Sequence, residues 1–324
     1  MRAQSPKQTA ADSRLEFTFR SAHALAVWTV GPDGNAREVG ITFSNVPVQV
    51  PAEAEWGVTP LACTKLEDAA TEAKASSIPG FRPRGIADGD MALLKDLKGL
   101  RILDLERTQV TDAGLARLRE LTGLETLNLA FTDVTDAGLA HLQELTGLRT
   151  LNLAFTKVTD AGLARLKGLK GLKMLDLAST QVTDAGMACL REFESIEMLY
   201  LGFTRVTDEG VACLKEMRRL RVLDLWGTPV TDAGLAHLRG LRSLTTLNLE
   251  RTNVTDAGLA HLRKIENLQS LNLAYTQVTD VGLEHLMGIR SLKSLDLWFT
   301  HVTDAGIRML KAKRPGCSVG VPCR

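Results

Sequence analysis

Two sets of residues in this sequence have side chains that could do chemistry, and both recur every 24 residues. One set reads Arg117, His141, Arg165, Cys189, Cys213, His237, His261, His285 and Met309. Imidazoles and thiols in series raise two possibilities: a metal ladder through His237, His261 and His285, or a disulfide between Cys189 and Cys213. The other set reads Asp104, Asn128, Asn152, Asp176, Tyr200, Asp224, Asn248, Asn272 and Asp296. Four carboxylates in one column could serve catalysis or calcium binding.

Which chemistry is possible depends on the elements that carry the columns. Leu121–Glu144 is nearly repeated by Leu145–Gly168, and the same text runs without insertion or deletion from about Leu97 to Ala312. Nine copies are counted from Leu103, Leu127, Leu151, Leu175, Leu199, Leu223, Leu247, Leu271 and Leu295. A fixed period of this length specifies stacked units that each contact only their neighbours. Within a copy, Leu103 and Leu105 alternate as on a strand, while Leu115 and Leu118 mark a short helix facing the same core. Thr111 before Asp112 is a helix start: a hydroxyl to cap free N–H groups and an acid in the first turn. Gly114 shares the inward face with Leu118, where a missing side chain would let the helix sit close to the sheet. Thr108, present in all nine copies, stands at the bend after the strand, where its hydroxyl can satisfy buried backbone. Each buried aliphatic contributes about 1.5–3 kcal/mol, so stacking, not any single unit, supplies the stability.

Parallel strands stack about 4.8 Å apart and helices about 8–10 Å apart, so the array must bend into a horseshoe with strands on its concave wall. Neighbours in the histidine and cysteine column, on the helices and pointing outward, are then too far apart for a disulfide or a shared zinc. Asp176 and Asp224 are separated by Tyr200 and roughly 10 Å, and no histidine joins their column; a solvated ladder of amides and carboxylates is the plainer reading. The flanking columns are more informative because aromatics are only 5% of the residues. One reads Glu106, Ala130, Ala154, Ala178, Gly202, Trp226, Glu250, Ala274 and Trp298; the next reads Arg107, Phe131, Phe155, Ser179, Phe203, Gly227, Arg251, Tyr275 and Phe299. Tyr200, Phe203 and Trp226 form one cluster, and Tyr275, Trp298 and Phe299 a second. Aromatics on a polar-rimmed concave surface are typical anchors for a protein partner. With Asp176 and Asp224 beside them, and Glu106, Arg107, Glu250 and Arg251 as a charged rim, these are the candidate binding residues. The alternative for Phe131 and Phe155 is that their rings tuck into the edge of the core.

The units resemble the leucine-rich repeat family, specifically bacterial arrays whose helical half reads Val-Thr-Asp-Ala-Gly-Leu, as at Val110–Leu115. The resemblance covers about two-thirds of the chain and implies a ribonuclease-inhibitor-like, right-handed α/β solenoid: parallel strands on the concave face, short helices on the convex face. Thr108 and its equivalents occupy a position where that family more often has asparagine. The resemblance also implies a protein-interaction scaffold, although a fold alone names no partner.

The rest of the chain reads as accessory to the array. Residues 1–14 are polar and expected to be a disordered tail, and residues 15–84 an N-terminal β-rich cap. In the cap, residues 25–43 read as a hairpin, Val46–Pro51 as an edge segment, Leu61–Ala75 as helix-permissive, and Pro79–Pro83 as a break. Residues 85–99 read as a degenerate first repeat with Asp90 in place of the glycine, residues 100–312 as the array, and 313–324 as a C-terminal cap. No catalytic triad, phosphate loop or metal-ligand spacing stands in the cap, so the expectation is a non-enzyme without a cofactor. His23 is the cap's lone histidine, and Cys63 has no basic partner. Five cysteines without a CxxC pair favour neither a disulfide framework nor zinc. A net charge of +1 and the lack of a basic column on the inner wall disfavour nucleic acid and anionic membranes. Residues 1–14 lack the apolar core of an export signal, and no run approaches the roughly 18 apolar residues that span a bilayer. The expectation is a cytoplasmic, monomeric, non-catalytic scaffold. The runner-up is a recognition adaptor or effector of a ubiquitin-ligase-type system, which would require an F-box-like helix or a catalytic cysteine domain that the strand-like residues 15–60 do not offer.

Overall fold

The computed structural model describes residues 7–8, 14–18, 25–30, 36–42, 47–51, 55–60, 64–75 and 77–321. The chain divides into two units, Met1–Leu151 and Asn152–Arg324. The expected turn at residues 31–35, along with His23, Cys63 and Cys323, lies outside the described residues.

The first unit contains β1 (Lys7–Gln8), β2 (Arg14–Thr18), β3 (Leu25–Val30), β4 (Ala36–Thr42), β5 (Pro47–Pro51), β6 (Glu55–Pro60), helix α1 (Leu66–Ala75), β7 (Gly80–Phe81), β8 (Ile102–Asp104) and β9 (Thr126–Asn128). Of the polar leading segment, Lys7–Gln8 pair antiparallel with β2, which in turn pairs with β5. β3 and β4 form the antiparallel hairpin, and β3 also pairs antiparallel with β6. β6 then runs parallel to β7, β7 to β8 and β8 to β9. β7, β6, β3 and β4 therefore extend the repeat sheet beyond its first repeat, while β1, β2 and β5 form a separate three-stranded sheet. Gly80–Phe81, read from the sequence as a break, is a strand, with Phe81 fully buried opposite Leu103. Strict counting by 24 misses it because Phe81 pairs with Leu103 only 22 residues ahead, where Leu103 pairs with Leu127 at 24, while Asp88 bonds Thr111 at the same 23 that Asp232 keeps to Thr255. Gly57 and Gly80 leave no space for a Cβ, because the backbone of the paired strand and the Trp28 ring both lie against them: a Cβ would stand 2.3 Å from Gly80 O at one position and 2.5 Å from Trp56 O at the other.

The second unit carries the remaining repeats: β10 (Thr150–Asn152), within which the division falls, β11 (Met174–Asp176), β12 (Met198–Tyr200), β13 (Val222–Asp224), β14 (Thr246–Asn248), β15 (Ser270–Asn272), β16 (Ser294–Asp296) and a closing strand β17 (Ser318–Gly320). β11 through β17 are parallel and in register, leucine opposite leucine until Val319 completes the row. The inward leucines of these strands and of the helices behind them are at most 2% exposed.

Three polar devices recur. The threonine after each strand donates its hydroxyl to the carbonyl three residues back, from Thr108 on Leu105 at 2.7 Å to Thr300 on Leu297 at 2.8 Å. The residue just before it is left-handed: Arg107, Phe131, Phe155, Ser179, Phe203, Arg251, Tyr275 and Phe299 have φ of 53–57°, and Gly227 has 65°. L-residues disfavour this conformation by about 1–2 kcal/mol. It is held by the next repeat, whose carbonyl accepts the bend residue's N–H, as in Phe203 to Trp226 at 2.7 Å and Tyr275 to Trp298 at 2.8 Å.

The third device links helices. Thr255 caps its own helix by accepting from Ala257 N–H, and the carboxylate of Asp232, one repeat earlier, accepts from Thr255 N at 2.8 Å and Thr255 Oγ1 at 2.7 Å. The same pairing joins Asp88 to Thr111 and Asp112 to Thr135 in the first unit, and Asp160 to Thr183 and Asp280 to Thr303 in the second. This adds to the expected role of the glycine. A Cβ on Gly258 would overlap Asp232 Oδ1, and one on Gly138 would overlap Asp112 Oδ1. The nearest group the glycine admits is the previous repeat's carboxylate, and core side chains also press on the position, as Val206 Cγ1 does at 2.8 Å from a Cβ on Gly210.

Candidate strand-face binding site

In every strand the residue between the two inward leucines faces away from the core, with the position two residues later beside it. The column residue also supports the backbone. Its side-chain oxygen accepts the N–H two residues on, at 2.9–3.0 Å from Asn128, Asn152, Asn248 and Asn272. Asp176 does the same for Ala178 at 2.9 Å, and Asp224 for Trp226 at 2.8 Å. Asparagine makes the same bond at four copies, so the bond does not require the charge at 176 and 224.

The charge is also poorly accommodated. Burial pushes the Asp176 carboxyl up to about 6, with the Ala178 N–H opposing and the Asp224 charge adding to the rise. Burial likewise raises Asp224, against the hydrogen bonds from Trp226 and Asn248, and raises the Tyr200 phenol between the two carboxyls. Neither carboxylate has an ion-pair partner among the described residues, in contrast to Asp104 in the first unit, which Arg82 neutralises.

Two groups of rings are in contact. Phe203 lies edge-on to Trp226 with ring centroids 4.3 Å apart, and Tyr200 stands opposite Asp224, two positions before Trp226, in the strand register. Tyr275 stacks on Phe299 at 4.5 Å, and Trp298 tilts against Phe299 at 5.9 Å. Phe131 and Phe155 do not tuck into the core; they are 40% and 48% exposed, because a left-handed backbone aims the side chain outward from the bend. Phe155 therefore joins Phe203, Tyr275 and Phe299 in the exposed bend column of the second unit. Glu106 pairs with Arg107 at 2.9 Å, and the Arg107 guanidinium lies 4.6 Å over the Phe131 ring. Glu250 and Arg251 repeat the arrangement, 4.0 Å apart, with Arg251 4.8 Å over Tyr275.

Gly227 shows why one bend position lacks a side chain. Eight other copies adopt the same φ with a side chain, so conformation is not the reason. A Cβ there would lie 2.7 Å from Phe203 Cε1, so the missing side chain gives the Phe203 ring its place against Trp226. Gly227→Ala is expected to displace Phe203, with about 1–2 kcal/mol lost to overpacking. An unchanged Trp226 fluorescence spectrum and unchanged urea midpoint would refute this.

The helix column does not gather into a site. Arg119 donates to His141 Nδ1 at 2.7 Å, and Arg239 likewise reaches His261 Nδ1. Burial first, and Arg239 second, lower the His261 pKa. Cys213 is buried, not outward as its position implied, with Arg191 3.6 Å from its sulfur and its thiol donating to the Glu209 carbonyl. No group of three potential metal ligands occurs among the described residues.

A regular alternation of parallel strands and short helices at a fixed period defines an α/β repeat solenoid. Residues 84–313 match the family described as leucine-rich repeat region, well over half of the chain, and the protein belongs to the leucine-rich repeat family. Among solved structures it is similar to an internalin C2 of Listeria monocytogenes, at 26% identity over 74% of this chain and 92% of that one, with a TM-score of 0.53. It shares its fold with a leucine-rich repeat protein of Leptospira interrogans, at 16% identity over 78% of this chain and 68% of that one, with a TM-score of 0.56. Comparison with curated proteins gave no match. The family supports a protein-interaction scaffold in general. No helix among the described residues is long and apolar enough to cross a membrane.

Proposed function

We propose that this protein is a non-catalytic scaffold whose second unit binds a protein partner on the strand face. The observation that carries the reading is the exposed aromatic set: Phe155, Phe203, Tyr275, Trp298 and Phe299 are each 41–56% exposed on one face, beside the half-buried Tyr200 and Trp226. Large rings held in place by backbone and by each other lose little freedom on binding, which is what makes such residues anchors. The carboxylate column contains no histidine or cysteine to act as its partner in catalysis, which supports binding over turnover. An anionic face does not suit a phosphate backbone, so the partner proposed is a protein and not nucleic acid.

The test is capture from the source cell with the full chain, wild type against a Tyr200→Ser, Trp226→Ser double variant with unchanged circular dichroism. A partner retained by wild type and lost by the variant is the expected result. One held equally by both would move binding off this face and sink the reading.

A further inference from the structure

Charge on the strand face of the second unit is one-sided. From Met174 to Trp298 the outward strand positions carry Asp176, Asp224, Glu250 and Asp296, and no lysine or arginine. Asp176, Asp224 and Asp296 have no ion-pair partner among the described residues; only Glu250 does, from Arg251 at the adjoining bend. Two of these carboxylates are held part-buried without cations, although asparagine makes the same backbone hydrogen bond elsewhere in the column.

The chain shows what completes such a copy. Where the bend residue is arginine, its guanidinium lies over the next repeat's ring and beside a glutamate: Arg107 with Phe131 and Glu106, Arg251 with Tyr275 and Glu250. In the copies around Tyr200 the bend residues are Ser179, Phe203 and Gly227, so acids and rings are present and the cation is not. A guanidinium or ammonium group over an aromatic face, with carboxylates beside it, is attractive on both counts. A single metal ion cannot bridge Asp176 and Asp224, which stand two strands, or about 10 Å, apart. An extended chain covers that distance in about three residues.

We propose that the partner presents a basic segment, and that its arginine or lysine side chains lie on Asp176, Tyr200 and Asp224 of the strand face. This rests on the scaffold reading above and names the chemistry of its partner.

A fluorescent nona-arginine peptide titrated into the 324-residue chain at low salt tests it. Wild type is expected to bind, an Asp176→Asn, Asp224→Asn variant at least tenfold more weakly, and a Glu284→Gln, Asp304→Asn control on the helices less than twofold more weakly. The asparagines keep the backbone hydrogen bond, so loss of folding does not confound the comparison. Equal weakening by both pairs, or no binding by wild type, overturns the proposal. The two readings fail separately. A cellular partner lost by Tyr200→Ser, Trp226→Ser but retained by the aspartate variant overturns the basic-segment proposal and leaves the scaffold standing. A partner retained by both removes the scaffold reading itself.

Discussion

Gly258→Ala should destabilise the second unit by about 2–3 kcal/mol, although glycine to alanine inside a helix ordinarily stabilises by nearly 1 kcal/mol. The helix Asp256–Leu262 has no conformational need for glycine at this position, since no unusual φ occurs there. What decides the sign is the Asp232 carboxylate, which occupies the space of the missing Cβ while accepting from Thr255 N and Thr255 Oγ1. A methyl group must push the carboxylate off two charge-assisted bonds, each contributing about 1.5–3 kcal/mol. Asp232→Ala should be about as damaging, and the Asp232→Ala, Gly258→Ala pair no worse than Asp232→Ala alone, because the clash is then gone. Gly240→Ala is the control: the nearest atom to its Cβ is 3.8 Å away, so propensity governs and no loss is expected. Urea midpoints of the four variants settle it. A stabilised Gly258→Ala, or strictly additive losses in the pair, would refute the role assigned to this glycine.

Asp176→Asn should stabilise the protein at pH 7.5 and do almost nothing at pH 4. Burial raises the folded-state pKa of Asp176 to about 6, above the ordinary 3.8. Well below the unfolded value of 3.8 the carboxyl is protonated in folded and unfolded chains alike, and near pH 4 little free energy is at stake. As pH rises the unfolded chain releases its proton first, so stability falls between about pH 4 and 6 and stays reduced above. A shift of that size corresponds to at most about 3 kcal/mol. Partial exposure of the side chain reduces the expectation to about 1–2 kcal/mol. Asparagine keeps the bond from Ala178 N–H, as Asn152 and Asn248 do for their own neighbours, and carries no charge to desolvate. Unfolding in urea at pH 4, 5.5 and 7.5 should show the two curves diverging as pH rises. Parallel curves, or a less stable variant at pH 7.5, would show that the charge is tolerated.

The repeat architecture was legible because its causes are local and recur: leucines at period two and then three, a threonine that closes each strand, a capping threonine before aspartate. The aromatic clusters and the acid column could be placed by counting alone. What the sequence hid were relations between copies. Gly258 reads as a packing glycine until Asp232 is seen in its space, since nothing in one copy says that its acid serves the next. The left-handed bend was equally hidden. Glycine or asparagine is the usual signal for that conformation, and the column shows only Gly227 among phenylalanines, arginines, a tyrosine and a serine. This is why Phe131 and Phe155 could not be assigned to surface or core beforehand. The strand Gly80–Phe81 escapes the count because the first repeat is shorter than the others between strand and helix: its strand offset is 22 and not 24, while its acid-to-threonine offset is the usual 23.

The acid-to-threonine link also bears on how such a chain can lengthen. Each link joins residues 23 apart, within a period of 24, and always runs from one copy's aspartate to the following copy's threonine. Any tandem duplication of one whole period, wherever its ends fall, supplies a matched donor and acceptor at the new junction. A duplication one residue too long or too short leaves a carboxylate facing the wrong atom and a helix start uncapped. Unequal crossing-over therefore meets a filter at the level of the folded product: the gene can gain or lose copies freely, but only in whole units, and the unbroken count from Leu103 to Leu295 is the record that filter would leave.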